Sequence, residues 1–425
     1  MIDIILNEEQ VEAINKLKIF LNDPVKTTIT LSGFAGTGKT TCIAYFLENN
    51  KCYALTAITN KAVKVLCEKT GKAGTTLHAL LGLKPNVNLE DFDFNNPIFG
   101  VFKTPQLTDY DFIVLDECSM INSDLYKIIT QQAKLYQTKI IFVGDEKQLP
   151  PVNEDISKSF AENDIIFLNK IERTDKDNPL MPLFSEVREN IHNKDFQISL
   201  DHKDSIVDDK GFQFFREQEQ FVMEAVKLFP ENRVLAWTNK EVSFYNYLIR
   251  DIIQQTEEPF IVGDILMSYG TNKQIINSED YTVLDVNHTT KEMLKGYELI
   301  ISDPIGIQRQ IFVLDTKDEV SLNRYKTSLK GLLERAKKYK TWSDFYAYKE
   351  KINLMQDIYD NEELLIKKDI DYGYCLTCHR AQGSTYKNVS IILYDIMKNK
   401  NHVDRNKLLY VALTRASDKA LIYRG

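Results

Sequence analysis

Two hydrophobic periodicities alternate along the first part of the chain. Val11, Ile14, Leu17, Ile19 and Phe20 recur at helical spacing, and a short apolar run, TTITLS, follows at 27–32. The pattern predicts a helix from about 39 to 48, a strand over CYALTA (52–57) and a helix starting near Lys61. FIVLDE (112–117) and KIIFVGD (139–145) read as further strands, with helical pattern between them. Strands that alternate with helices predict a parallel sheet wound by right-handed crossovers.

The alternation lapses over 84–106, a segment with Pro85, Pro97 and Pro105 and with Phe92, Phe94, Phe99 and Phe102. It is too long for a routine connection and too aromatic for a solvated loop, so a small inserted hairpin is expected. A second α/β segment follows, with RVLAWTN (233–239) as a strand and Glu241–Asp251 as a helix. From 259 to 371 the pattern changes to short alternating strands and then a helical stretch over 320–360. CLTCHRAQGS (375–384) and the strand NVSIILYD resume the earlier style. The second α/β domain is therefore read as 181–258 with 372–425, interrupted by a β-rich insertion.

Composition narrows the class. The 425 residues are 43% hydrophobic and 27% charged, which excludes a disordered chain, a collagen-like fibre and a coiled-coil rod. No run approaches 18 apolar residues, so no membrane span is expected. MIDIILNEEQ lacks a basic leader region, and a cytoplasmic protein (host cytoplasm if phage-encoded) is expected. With 53 Lys and Arg against 61 Asp and Glu, the formal charge is −8. Binding to nucleic acid then needs a local basic groove. One basic run holds Lys326, Lys330, Arg335, Lys337, Lys338 and Lys340 against Glu334; a phosphate-facing strip and a solvated helix face are both open for it. The six cysteines read as free thiols. Cys375 and Cys378 have no partner pair at zinc spacing, so no metal is expected there.

The chemistry starts at TTITLSGFAGTGKT (27–40), a buried strand running into G-x-x-x-x-G-K-T. Gly33, Gly36 and Gly38 let the backbone of Phe34, Ala35 and Thr37 curl around an anion at a helix N-terminus. Lys39 would reach the β- and γ-phosphates, Thr40 would ligate Mg²⁺, and Thr41 follows on the same turn. Asp116 and Glu117 end an apolar strand, expected beside the phosphate loop; Asp116 would hold Mg²⁺ and Glu117 would activate water. Gln148, after a third strand, can hydrogen-bond a γ-phosphate.

The remaining motifs choose among the many P-loop enzymes. LNEEQ with Gln10, GFAGTGKT, TAITNKA (56–62), TTLHALLG (75–82), DECSM (116–120) and GDEKQLPPV (144–152) stand in the order found in superfamily 1B helicases of the RecD/Dda-like branch. Glu172-Arg173, WTNKEV (237–242), TCHRAQGS (377–384) and LLYVALTRA (408–416) continue that order. The sequence resembles this family over nearly its whole length. The resemblance implies two RecA-like P-loop NTPase motor domains (1–83 with 107–180, and 181–258 with 372–425). It also implies a strand-separating hairpin at 84–106 and an SH3-like insertion with a helical extension at 259–371.

The activity implied is that of an ATP-dependent DNA helicase moving 5′→3′ on single-stranded DNA, in replication, recombination or repair. Gln10 would read adenine, Arg173 and Arg415 would be arginine fingers, and Gly383 would lie at the same cleft. Thr59, Asn60, Thr76, His78, Asn239, Thr377 and His379 would face the strand, and Phe99 would be the hairpin's contact with the last base pair. Phe34 stands where the family often has proline, and Asn60 where it often has histidine. The implied cofactors are ATP and Mg²⁺. The implied partners are single-stranded DNA, its junctions with duplex, and single-strand-binding or replisome proteins, with the chain acting as a monomer. An RNA-directed superfamily 1 helicase, and a DNA-binding ATPase subunit without unwinding activity, stand beside this reading.

Overall fold

The structure is a computed structural model that describes residues 6–48, 50–85, 93, 95, 99–101, 103–151, 153–172, 178–196, 198 and 204–425. Residues 1–83, 101–242 and 376–425 form one compact unit, and 84–100 with 243–375 form another.

The first sheet begins with β1 (Thr28–Gly33), β2 (Tyr53–Ala57) and β3 (Thr75–Thr76). A two-stranded ladder, β4 (Leu83–Pro85) with β5 (Phe99–Val101), then leaves it. The sheet resumes with β6 (Phe112–Asp116), β7 (Lys139–Gly144) and β8 (Ile165–Leu168), in the order β3-β2-β6-β7-β1-β8. Neighbouring strands in it pair in parallel. Both faces are covered, so the strands are buried almost end to end rather than on alternate positions. Leu17, Leu31, Phe46 and Phe112 lie in the core on one side; Leu77, Leu115, Ile129 and Phe142 lie in the core on the other. The strand carrying Asp116 ends at the same cavity as the phosphate loop, although β7 lies between β6 and β1.

The second sheet contains β9 (Ser205–Val207), β10 (Lys210–Phe215) and β11 (Asn232–Ala236). After the helix Asn239–Gln254 the chain enters the insertion, whose strands are β12 (Ile265–Ser268), β13 (Asp280–Lys291), β14 (Leu294–Ser302) and β15 (Gln308–Leu314). A small hairpin, β16 (Ile358–Asp360) with β17 (Glu363–Ile366), and β18 (Ile370–Tyr372) complete it. The chain returns through β19 (Cys375–Thr377), β20 (Tyr386–Ile392) and β21 (Ala416–Tyr423), giving the order β19-β11-β20-β21-β10-β9. Here β10, β21, β20 and β11 run parallel, and β9 is an antiparallel edge.

Within the insertion, β15-β14-β13-β12-β18 form an antiparallel sheet. The helical stretch expected over 320–360 is two helices, Glu319–Tyr339 and Ser343–Lys349, and ends before the β16–β17 hairpin. Lys340 in left-handed backbone breaks the run, and Trp342 and Phe345 turn inward to pack with Phe312, Tyr325 and Leu329. Of the basic run, Lys330 pairs with Asp360, while Arg335, Lys337, Lys338 and Lys340 are exposed. The inserted segment is tied to the same unit at Asn95. Lys367 donates its N–H to the Asn95 side chain (3.3 Å) and its ammonium to the Asn95 carbonyl (3.0 Å).

Candidate nucleotide and nucleic-acid site

Residues 34–38 join β1 to the helix Lys39–Glu48 at the carboxyl end of the first sheet, where open parallel sheets bind ligands. Gly36 (φ 85°) and Gly38 (φ 78°) adopt left-handed backbone, and a Cβ on Gly38 would lie 2.4 Å from Gln10 Nε2. Gln10 reaches the loop because it is the third residue of its helix and closes a capping box begun by Asn7. Its side-chain oxygen accepts the Asn7 N–H (3.1 Å), and its amide donates to the Thr37 carbonyl (3.2 Å). A nucleobase edge would have to exchange one of these bonds. Lys39 Nζ donates to the carbonyls of Gly33 (2.6 Å) and Phe34 (2.9 Å).

A cavity of 510 Å³ opens over this loop, with Thr40, Thr41, Asp116, Glu117 and Gln148 on its wall. Glu117 follows β6 in left-handed backbone (φ 55°) and donates its N–H to Asp116 Oδ1 (2.9 Å). Enclosure by the cleft raises both carboxyls above their ordinary range. For Glu117 the neighbouring Asp116 charge adds to the effect while Arg415 and Lys39 oppose it, and its carboxyl is pushed up to about 7.

The second sheet supplies the facing wall through Gly383, Thr385, Thr414 and Arg415. Gly383 (φ 79°) brings backbone so near that a Cβ would sit 3.5 Å from Glu117 Oε1. Arg415, buried at the end of the helix His402–Thr414, donates to the carbonyls of Ser384 (2.9 Å) and Val411 (3.1 Å). Arg173 lies outside the described residues. Gln382 donates from its amide to Ser119 Oγ (3.0 Å) and to Gln148 Oε1 (3.3 Å), joining the two walls. Sequence reasoning did not single out Gln382, although it lies beside Gly383 in the quoted motif. It also passed over Asp145, Tyr410 and Arg188, whose role appears only from which atoms they meet.

The residues expected to face a strand sit at neighbouring strand ends in each sheet. Thr59 follows β2 and Thr76 ends β3, and each caps a helix by accepting a backbone N–H, from Ala62 (3.1 Å) and Ala79 (3.2 Å). Thr377 ends β19 and accepts the Arg380 N–H (3.3 Å). Asn239 starts the helix after β11, beyond a turn held by buried Asp395, which accepts the N–H groups of Trp237 and Thr238 (both 2.8 Å). Asn60, Asn239 and His379 are exposed. His78 is half-buried, and that burial lowers the pKa of its ring. Phe99 opens β5 and is exposed at 40%, whereas Phe92, Phe94 and Phe102 lie outside the described residues.

Two family models match the two ends of this cleft. Residues 18–154 match an AAA domain, and residues 372–423 match the UvrD-like helicase C-terminal domain. The ATP-dependent DNA helicase Dda of Enterobacteria phage T4 is 30% identical over 62% of this chain and 60% of its own length. The chain is similar to helicases of superfamily 1B. Protein R530 of Acanthamoeba polyphaga mimivirus is similar to this chain end to end, at 27% identity over 97% of this chain and 98% of R530. In fold, the chain matches Pif1 from Bacteroides, solved with ADP-AlF3 and single-stranded DNA. The TM-score is 0.55 at 16% identity, covering 100% of this chain and 93% of that one. That likeness is one of fold, and it gives the chain a RecA-like α/β architecture. Among the described residues no group of His, Cys, Asp and Glu forms a metal cluster, and no helix is long and apolar enough to cross a membrane.

Proposed function

We propose that this chain hydrolyses ATP to move 5′→3′ along single-stranded DNA and to part the duplex ahead of it. The observation that carries the reading is the cleft. One wall bears a phosphate loop and an acidic pair, and the other bears a buried arginine on a different sheet. Phosphoryl transfer needs cations around the transferred group, and an arginine from the opposite wall makes hydrolysis depend on closure. Lys39 would exchange loop carbonyls for phosphate oxygens, and Glu117, with its raised pKa, is suited to take a proton from water near neutral pH. The Thr40 hydroxyl and the Asp116 carboxylate are hard oxygen donors that fit Mg²⁺, which would neutralise charge on the β- and γ-oxygens. Gln10 is assigned to the adenine edge, Gln148 to the γ-phosphate and Arg173 to a second finger.

The strand is assigned to Thr59, Asn60, Thr76, His78, Asn239, Thr377 and His379. A capping threonine accepts with its oxygen and keeps its O–H to donate to a phosphate. Phe99 is assigned to stacking at the junction, and replication, recombination or repair proteins that hold such junctions are the expected partners. Strand displacement on duplexes with a 5′ or a 3′ tail tests activity and polarity together. Unwinding of the 5′-tailed substrate is expected; displacement from the 3′ tail alone would overturn the polarity. ATPase stimulated by RNA and not by DNA would redirect the enzyme to RNA. Phe99→Ala is expected to lower unwinding sharply with DNA-stimulated ATPase kept, and a parallel fall in both would remove Phe99 from the junction.

A further inference from the structure

Two side chains from the second sheet's helices hold adjacent residues of the phosphate loop. Arg188, on the helix Leu180–Glu189, lays its guanidinium over the Phe34 ring, 4.1 Å from the centroid. Phe167 meets the same ring edge-on at 5.0 Å. The next residue, Ala35, donates its backbone N–H to the Tyr410 hydroxyl (3.2 Å), which itself donates to Asp145 Oδ2 (2.9 Å). Asp145 shapes the loop that carries Gln148: its Oδ1 accepts the Lys147 N–H (3.0 Å), and its carbonyl accepts the Gln148 N–H (3.2 Å). Tyr410 stands on the helix that ends at Arg415, and its carbonyl accepts the Thr414 hydroxyl (2.8 Å). One buried phenol therefore touches the phosphate loop, the Gln148 loop and the helix of the arginine finger.

We propose that Phe34–Arg188 and Ala35–Tyr410–Asp145 form a clasp through which the second motor domain senses the phosphate loop, coupling nucleotide occupancy to domain closure. The inference rests on the nucleotide site proposed above. The Ala35 N–H belongs to the loop that cradles anions, so a phosphate oxygen that recruits it takes it from Tyr410. The released phenol keeps Asp145 as its partner and shifts with its helix, carrying Arg415. Phe34 gives Arg188 an aromatic face that the family's frequent proline would not offer. The clasp thus accounts for the one departure inside the phosphate loop. Tyr410 and Arg188 are positioning residues in this scheme.

The test measures ATPase kcat with and without oligothymidine, together with the thermal melting of each variant. Tyr410→Phe keeps the ring and removes both hydrogen bonds; its ratio of strand-stimulated to strand-free kcat is expected to fall about tenfold, the size of a typical coupling between sites. Asp145→Asn leaves one acceptor oxygen for the two donors, Tyr410 O–H and Lys147 N–H, and is expected to lower the ratio by less than Tyr410→Phe does. Phe34→Leu and Arg188→Met are expected to lower the ratio by one shared factor, singly or combined, because they break the same contact. A wild-type ratio in Tyr410→Phe, or losses in Phe34→Leu and Arg188→Met that add, would overturn the clasp. Lys39→Ala run alongside keeps the two ideas apart. Hydrolysis that survives it removes the nucleotide site, whereas hydrolysis lost there with the Tyr410→Phe ratio intact removes only the clasp.

Discussion

The two motor sheets share a plan and differ at their strand ends. Each has six strands, and each carries helices that start where parallel strands stop. In the first, β1 runs into glycines in left-handed backbone and a helix N-terminus, so backbone N–H groups gather around one point. In the second, the corresponding face presents side chains instead: Tyr410 and Gln382 reach across to the first sheet's loops, and Arg415 lines the shared cavity. On the function proposed above, the sheets provide rigid placement, and the chemistry would be divided between what one sheet binds and what the other delivers. A site split in this way would work only while the two halves are held in register, and that requirement would turn hydrolysis into movement.

The comparison can be broken at either half, and the largest effect is expected at the binding half. Lys39→Ala should leave no detectable hydrolysis, since it removes the ammonium that serves phosphate binding and transition-state charge together; near-normal kcat would mean the first sheet does not own the nucleotide. Glu117→Gln should bind nucleotide almost normally and turn it over orders of magnitude more slowly. If nucleotide affinity falls and turnover stays, Glu117 belongs to binding. On the delivering half, Arg415→Ala should lower kcat roughly 10³-fold at saturating ATP and DNA. A change of a few-fold would make the second sheet a scaffold. The smallest effects test the strand-facing threonines of both sheets. Thr59→Ala and Thr377→Ala should each cost about 1 kcal/mol of stability in denaturant melts through a lost helix cap. Each should also reduce the salt dependence of single-strand binding by up to about one phosphate contact. Lower stability with unchanged DNA affinity would leave these residues as caps alone.

The phosphate loop was legible in the sequence because its chemistry is local. The glycines, Lys39 and Thr40 lie within one turn of chain, and a strand-to-helix change fixes their geometry whatever surrounds them. Asp116 and Glu117 were legible for the same reason, yet their strand's place in the sheet was not. Hydrophobic alternation says that β6 is a buried parallel strand, and it carries no record of β7 lying between it and β1. The helical stretch over 320–360 failed differently. Its apolar spacing continues past Tyr339, but Trp342 and Phe345 are drawn into the core beside Phe312, and that packing outweighs local periodicity.

Long-range pairings were out of reach altogether. Asn95 and Lys367 are far apart in the chain, as are Ala35 and Tyr410, and no spacing rule joins them. By itself the sequence determined the elements, the anion cradle, the acidic pair and the order of the family's motifs, because each depends on residues within a few positions of one another. Tertiary structure alone decided which strand lies beside which, that Gln10 braces Thr37, and that Arg188 and Tyr410 hold Phe34 and Ala35. Those contacts depend on how distant segments bury their apolar faces together, and burial is settled by the whole chain at once.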